Sequence, residues 1–178
     1  MKKLFLSFLS VIALSGCALY DESQAYQLSV SFLEPTEWNG KIIPPHQSCH
    51  TDGGIGSTPP LYVSYIPEGT NLLILEIDDM DKPALSVDGG HGSIGFYHSG
   101  DFSAVLLPVP GETNVLPNYA FKEKGNRYDK VKPFPYMPPC IQKGHRFVAT
   151  VKAVKRTGSF DKQKTILLGE GKIDLGVY

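Results

Sequence analysis

Leu72-Leu73-Ile74-Leu75 places four aliphatic residues in a row, between the turn formers of Pro67-Glu68-Gly69-Thr70-Asn71 and the acids of Asp78-Asp79. A short continuous apolar run between turn signals reads as a central strand buried on both faces. Such a strand needs partners, and the chain offers them. Strands are expected at Tyr26 to Leu33, Leu61 to Tyr65, Asn71 to Asp78, Ser93 to His98, Ala104 to Val109, Arg146 to Val154 and Thr165 to Leu175. Each is rich in Val, Ile, Leu, Tyr or Phe and is bounded by Gly, Pro, Asn or Asp. Phe147, Ala149, Val151 and Ala153 alternate with Val148, Thr150, Lys152 and Val154, the pattern of a half-buried strand. Helical periodicity is scarce. Pro110 to Pro139 is polar and proline-rich, with Tyr119, Phe121, Tyr128, Phe134 and Tyr136 to pin it down. It reads as a long ordered surface excursion. The fold class that follows is mainly β, an antiparallel sandwich with long loops.

The first residues stand outside that pattern. Lys2 and Lys3 precede a mostly apolar stretch, Leu4 to Leu14, which is short for a membrane span. Leu14-Ser15-Gly16-Cys17 then follows the pattern of a bacterial lipobox. The expectation is a signal peptide over 1–16, a lipidated Cys17 as mature N-terminus, a tether over 17–26, and one folded unit over 27–178. Acyl chains such as palmitate on Cys17 would hold the protein to a bilayer without a transmembrane helix, each buried methylene adding about 0.8 kcal/mol. Ala18 is not the aspartate that marks inner-membrane retention. The expected location is therefore the cell envelope, on the periplasmic face of the outer membrane.

Charge excludes one class of partner. Removing residues 1–16 takes away two lysines and no acids, so the formal charge moves from −1 to −3. No basic block remains to attract nucleic acid. Cys49 and Cys140 are the thiols left once Cys17 is acylated, and export favours a disulfide between them.

Three clusters carry chemistry-bearing side chains: His46 to Gly54, Asp78 to Pro83 with Gly89-Gly90-His91-Gly92, and Tyr136 to Phe147. His46, Cys49, His50 and Asp52 have zinc-like spacing, but a disulfide removes the thiolate. Cys140 lies five residues before His145, with Asp79 or Asp81 available to orient the ring as in a nucleophilic enzyme. Oxidation of Cys140 argues against that reading as well, and neither a metal, a cofactor nor catalysis is expected.

The order of these pieces resembles the phosphatidylethanolamine-binding protein family, in its bacterial branch related to Raf kinase inhibitor protein. The likeness runs from Gly40 to Tyr178. Gly40-Lys41-Ile42-Ile43-Pro44, Ser48-Cys49-His50-Thr51-Asp52-Gly53, Ser57-Thr58-Pro59-Pro60-Leu61 and Ile66-Pro67-Glu68-Gly69-Thr70 match the family's opening segments in register. Asp79-Met80-Asp81-Lys82-Pro83 resembles its Asp-Pro-Asp-x-Pro signature, His91 the histidine of its His-Trp pair, and Pro138-Pro139-Cys140 through His145-Arg146-Phe147 its proline loop and His-Arg-Tyr. Leu175-Gly176-Val177-Tyr178 resembles the family's closing residues.

The resemblance implies a β-sandwich with a few short helices and a small pocket for phosphate-like anions or phospholipid headgroups. It implies that Asp79, Asp81, Pro83, His91, Pro138, Pro139, His145 and Phe147 form that pocket. The imidazoles would donate to an oxyanion, and the aspartates would orient them and raise their pKa. The prolines would form a rigid wall beside His145. Arg146, on the opposite face of its strand, reads as an ion-pair partner. Four positions depart from the pattern: Phe147 lacks the tyrosine hydroxyl, Gly92 replaces the tryptophan, and Met80 and Met137 replace a proline and a glycine. The implied function is non-catalytic binding of a small anion or headgroup. The alternative is a periplasmic inhibitor or interaction module that keeps a vestigial pocket and binds a protein partner.

Overall fold

The computed structural model describes residues 25–140, 143–159 and 162–178. The signal segment and Cys17 lie outside the described residues. Nine strands run in chain order among those described: β1 (Tyr26–Gln27), β2 (Ser29–Phe32), β3 (Leu61–Ser64), β4 (Leu72–Asp79), β5 (Gly92–Tyr97), β6 (Ser103–Leu106), β7 (Ala120–Lys124), β8 (Arg146–Thr157) and β9 (Lys164–Val177). They form a six-stranded sheet in the order β1-β9-β8-β4-β5-β7 and a three-stranded sheet in the order β2-β3-β6. All pairings are antiparallel except β1 with β9. Three 3-10 turns, Pro45–Gln47, His50–Asp52 and Pro83–Leu85, are the helical elements among the described residues. No described helix is long and apolar enough to cross a membrane.

The aliphatic run lies in the interior of the large sheet. All eight residues of β4 are buried, between β8 and β5. Its two faces differ. Leu73, Leu75 and Ile77 meet Leu61, Val63 and Leu106 of the small sheet in a core closed by Trp38, Ile43 and Leu175. Burying each such aliphatic side chain contributes about 1.5–3 kcal/mol. On the outer face Leu72 and Ile74 pack with Val154 and Phe121. Farther along, buried Glu76 accepts a hydrogen bond from Lys152 Nζ at 2.7 Å, and Asp78 Oδ1 accepts from the Gly90 amide at 2.8 Å. Burial holds the Asp78 carboxyl above its usual range. Glu76 and Asp78 thus each have a partner in this layer.

Three details differ from the sequence reading. The expected strand Tyr26 to Leu33 is two, because the chain crosses between sheets at Leu28. Its first two residues run parallel to β9, while Ser29–Phe32 pairs with β3. Within the long excursion, Ala120–Lys124 adds an edge strand beside β5. Strands β8 and β9 extend further into one long hairpin with two register shifts.

This topology brings four segments to one end of the large sheet. Asp79 ends β4 opposite Phe147, near the start of β8. The His91 amide donates to the Ile77 carbonyl at 2.9 Å, just ahead of β5. The Tyr136–Met137 segment crosses over it, with a bridge from Tyr136 to Gly92. A Cys49–Cys140 disulfide, Cα atoms 5.3 Å apart, fixes the end of that segment.

Candidate functional site

Asp79 is 1% exposed, and a carboxylate removed from water to that degree needs donors. It has two. His145 Nδ1–H donates to Oδ2 at 2.7 Å, and the Asp81 amide donates to Oδ1 at 3.0 Å. Asp81 is exposed, and its Oδ2 accepts from the Arg146 amide at 2.7 Å. The two acids therefore brace each other and the first residues of β8. Since the Asp79 carboxylate takes Nδ1–H, Nε2 is the nitrogen of His145 left for a ligand. The Arg146 guanidinium reaches away to Asp174, donating from Nε to Oδ2 at 2.7 Å. That is the ion-pair role its alternation predicts.

His91 is also 1% exposed. Its Nδ1 lies 2.8 Å from the Met137 carbonyl, which can only accept, so Nδ1 carries the hydrogen. Nε2 has no hydrogen-bond partner among the described residues. The ring stands edge-on to Phe147 at 5.0 Å and tilted against Tyr128 at 5.2 Å. Desolvation pushes its pKa down to about 4, although the Met137 bond and the nearby Asp79 charge pull the other way. The expectation that the acids raise both imidazoles therefore fails at His91, where burial outweighs them. At neutral pH it presents a lone pair rather than a donor.

The prolines do different work from the wall expected of them. Added side chains at Gly56 and Gly111 would collide with the ring of Pro138, so that ring is seated between these two glycines. The Pro139 carbonyl accepts from the Cys49 amide at 2.9 Å. Both prolines are buried, and together they anchor the loop. Met137, the residue just before them, meets His91 directly. Pro83 is exposed and opens a 3-10 turn four residues beyond the end of β4. Phe147 is 2% exposed and supplies the edge contact to His91. Gly92 has a local cause: at φ 129°, a Cβ there would come 2.0 Å from the Pro135 carbonyl oxygen. The backbone of 135–136 occupies the space a larger side chain would need.

Two site residues escaped the sequence reading. Tyr128, from the long excursion, packs on His91 and donates its hydroxyl to the Cys140 carbonyl at 3.3 Å. Lys82 Nζ lies 5.2 Å from the centre of the Tyr128 ring, bringing a cation to the site. Tyr128 belongs to no motif, and its one visible signal was being an aromatic in a polar loop.

The zinc-like cluster is not assembled. His46 Nε2 is 3.1 Å from Glu37, and His50 Nδ1 is 3.1 Å from Glu112. Cys49 and Cys140 do approach Asp52, but their sulfurs are bonded to each other. The same bond occupies the sulfur of Cys140, the candidate nucleophile.

Three separate segments thus place two imidazoles, one buried carboxylate and one ammonium within a single cluster. The fixed charges leave one net negative: Asp79 and Asp81 against Lys82, with Arg146 neutralised by Asp174. Such a balance suits an anion that brings its own proton or cation better than a bare dianion.

Comparison with known proteins follows the same lines. The profile of the family described as phosphatidylethanolamine-binding protein matches residues 34–173. Escherichia coli YbcL, described as a new member of the mammalian PEBP family, shares 20% identity over 85% of this chain and 97% of that chain, with a TM-score of 0.55. The PEBP homologue CT736 from Chlamydia trachomatis shares 20% identity over 88% of this chain and 98% of that chain, with a TM-score of 0.43. The YbcL likeness bears on fold alone. No curated protein matches the sequence.

Proposed function

The chain belongs to the phosphatidylethanolamine-binding protein family, and from that premise we propose that it is a non-catalytic, lipid-anchored envelope protein whose Asp79–His91–His145 site holds a phosphate-like anion or phospholipid headgroup. One observation carries the reading: the 2.7 Å contact of His145 Nδ1 with buried Asp79. Burying a carboxylate to orient a partly exposed imidazole costs stability that simple packing would not need to spend, and it aims Nε2 outward. The family supports a binding role, and the neighbouring acids and Lys82 suit a ligand that carries both signs of charge. The lipobox at Leu14–Cys17 supports attachment at the membrane. Periplasmic display on the outer membrane follows from Ala18.

Histidine side-chain NMR of the full chain tests this directly. Millimolar inorganic phosphate or phosphoethanolamine should move the His145 Nε2 resonance, and Asp79→Asn should abolish the response. Unmoved imidazole signals would favour a second reading, an inhibitor-like interaction module with a vestigial pocket. The 1% exposure of His91 is the observation behind that alternative. A His145→Ala variant that still captures the same envelope partner as wild type would support it.

A further inference from the structure

The small sheet packs one face into the core and leaves the other open. Strands β2, β3 and β6 carry no charged residue. Their register sets the outer face in rows: Ser31, Tyr62 and Val105 lie side by side, and Ser29, Ser64 and Ser103 form the next row. Leu33 and Leu107 extend the face one step past the Phe32–Leu61–Leu106 row. At the opposite end Tyr65 and Phe102 meet edge to face, ring centres 5.1 Å apart. Leu33, Tyr62, Tyr65, Phe102, Val105 and Leu107 are each 41–62% exposed. Single apolar residues at a surface need no explanation, but six on one charge-free sheet face make an interaction patch. Tyr65 adds a second sign. Its backbone lies in the left-handed region (φ 62°), which is costly for a bulky residue, and it holds the ring out beside Phe102 rather than in the core.

We propose that the outer face of β2-β3-β6 is a membrane-docking surface, which lies flat in the headgroup layer of the leaflet that holds the Cys17 acyl chains. Three observations select a lipid surface as the occupant. The chain upstream of the described domain is short: the eight residues between Cys17 and Tyr26 span at most about 30 Å, and β2 begins three residues after Tyr26. The anchor therefore delivers the bilayer to the neighbourhood of this sheet. The chemistry of the face is interfacial, with tyrosine and phenylalanine among serines and aliphatic residues, and no charge in the strands opposes its entry into the headgroups. The outer face of the large sheet is the contrary case, since it carries the Lys152–Glu76 and Arg156–Glu123 ion pairs. Exposed Glu34 beside Leu33 and Asp101 beside Phe102 set carboxylates at two ends of the patch. They repel an anionic surface, so the preferred leaflet is zwitterionic. This inference rests on the lipid-anchor reading above and adds to it a fixed orientation of the domain on the bilayer.

Depth-dependent fluorescence quenching tests the orientation. The mature acylated protein is reconstituted into phosphatidylcholine vesicles brominated near the top of the acyl chains, with a reporter introduced as Phe102→Trp, Tyr62→Trp or, on the large sheet, Tyr97→Trp. Trp38, the one native tryptophan, is 1% exposed and gives the same background in every variant. A docked face enters the headgroup–acyl boundary, so the Phe102→Trp and Tyr62→Trp reporters should be quenched about twofold or more over the Tyr97→Trp reporter. Adding Val105→Glu or Tyr62→Glu to the Phe102→Trp protein should remove that excess, and so should phosphatidylglycerol vesicles. Both glutamates replace exposed side chains, and either serves if the other fails to fold. Equal quenching at all three positions, stronger quenching at position 97, or an excess that survives both glutamates overturns the proposal while leaving the anchor in place. A detergent-solubilised chain that sediments as a dimer, and that Tyr62→Glu dissociates, assigns the face to a second copy and overturns it too. Cys17 without an acyl mass in mass spectrometry sinks the anchor reading itself, and this inference with it.

Discussion

At 1% exposure His91 is carried neutral inside the fold, whereas in the unfolded chain it titrates near 6.5. The sign of the consequence follows from proton binding. Above pH 6.5 both states are neutral at this ring, and its contribution to stability is fully present. As pH falls toward 4, the unfolded chain takes up a proton that the folded one refuses, and stability is lost. A shift from 6.5 to about 4 corresponds to about 3 kcal/mol. Urea denaturation at pH 7, 5.5 and 4 should therefore show a progressive loss, and His91→Gln should flatten it across that window. Gly92 makes a harsher prediction. Its neighbours leave no room for a methyl group, and its positive φ disfavours any other residue. Gly92→Ala should cost about 3 kcal/mol or more, from overpacking and backbone strain together, read as a fall in urea midpoint. The missing family tryptophan is thus tied to how closely the Tyr136 segment passes.

At the scale of elements, the site depends on a loop rather than on strands alone. The Met137 carbonyl that fixes His91 is three residues from Cys140, whose disulfide closes a loop over a sequence separation of 91. A cross-link over a loop that long is worth about 4 kcal/mol in the chain-entropy account. Cys140→Ser should lower stability by roughly that amount in equilibrium denaturation, and reductant should affect wild type but not the variant. How much of this was legible in the sequence varies with the element. Strand β4 announced itself because a four-residue aliphatic run has few other places to go. Strand β7 did not: Ala120-Phe121-Lys122-Glu123-Lys124 carries a single large apolar side chain, since an edge strand with one half-covered face needs little more. The division at Leu28 was hidden because strand propensity does not register which sheet a residue joins. The motif order located Asp79, His91, His145 and Phe147 near one another. Which nitrogen of each imidazole faces the ligand depends on Asp79 and Met137, contacts across 66 and 46 positions that local patterns do not encode. Tyr128 was illegible for the same reason.

For the molecule as a whole, the proposed attachment point and the site lie on different parts of the chain. The two-residue β1 joins the large sheet beside β9, and the lipobox lies just upstream, outside the described residues. Nine residues between Cys17 and Gln27 span at most about 30 Å, so an acylated Cys17 would keep the domain close to the lipid surface. Cys17→Ala should move the protein from the membrane pellet to the soluble envelope fraction, as measured by fractionation and immunoblot, while leaving its melting temperature unchanged. The Cys49–Cys140 bond has another consequence. Asp79 and His91 sit inside the covalent ring it closes, and His145 follows just outside. A protease that nicks the exposed backbone beside Val131 would leave two pieces travelling as a single band on a non-reducing gel and parting only when thiol is added.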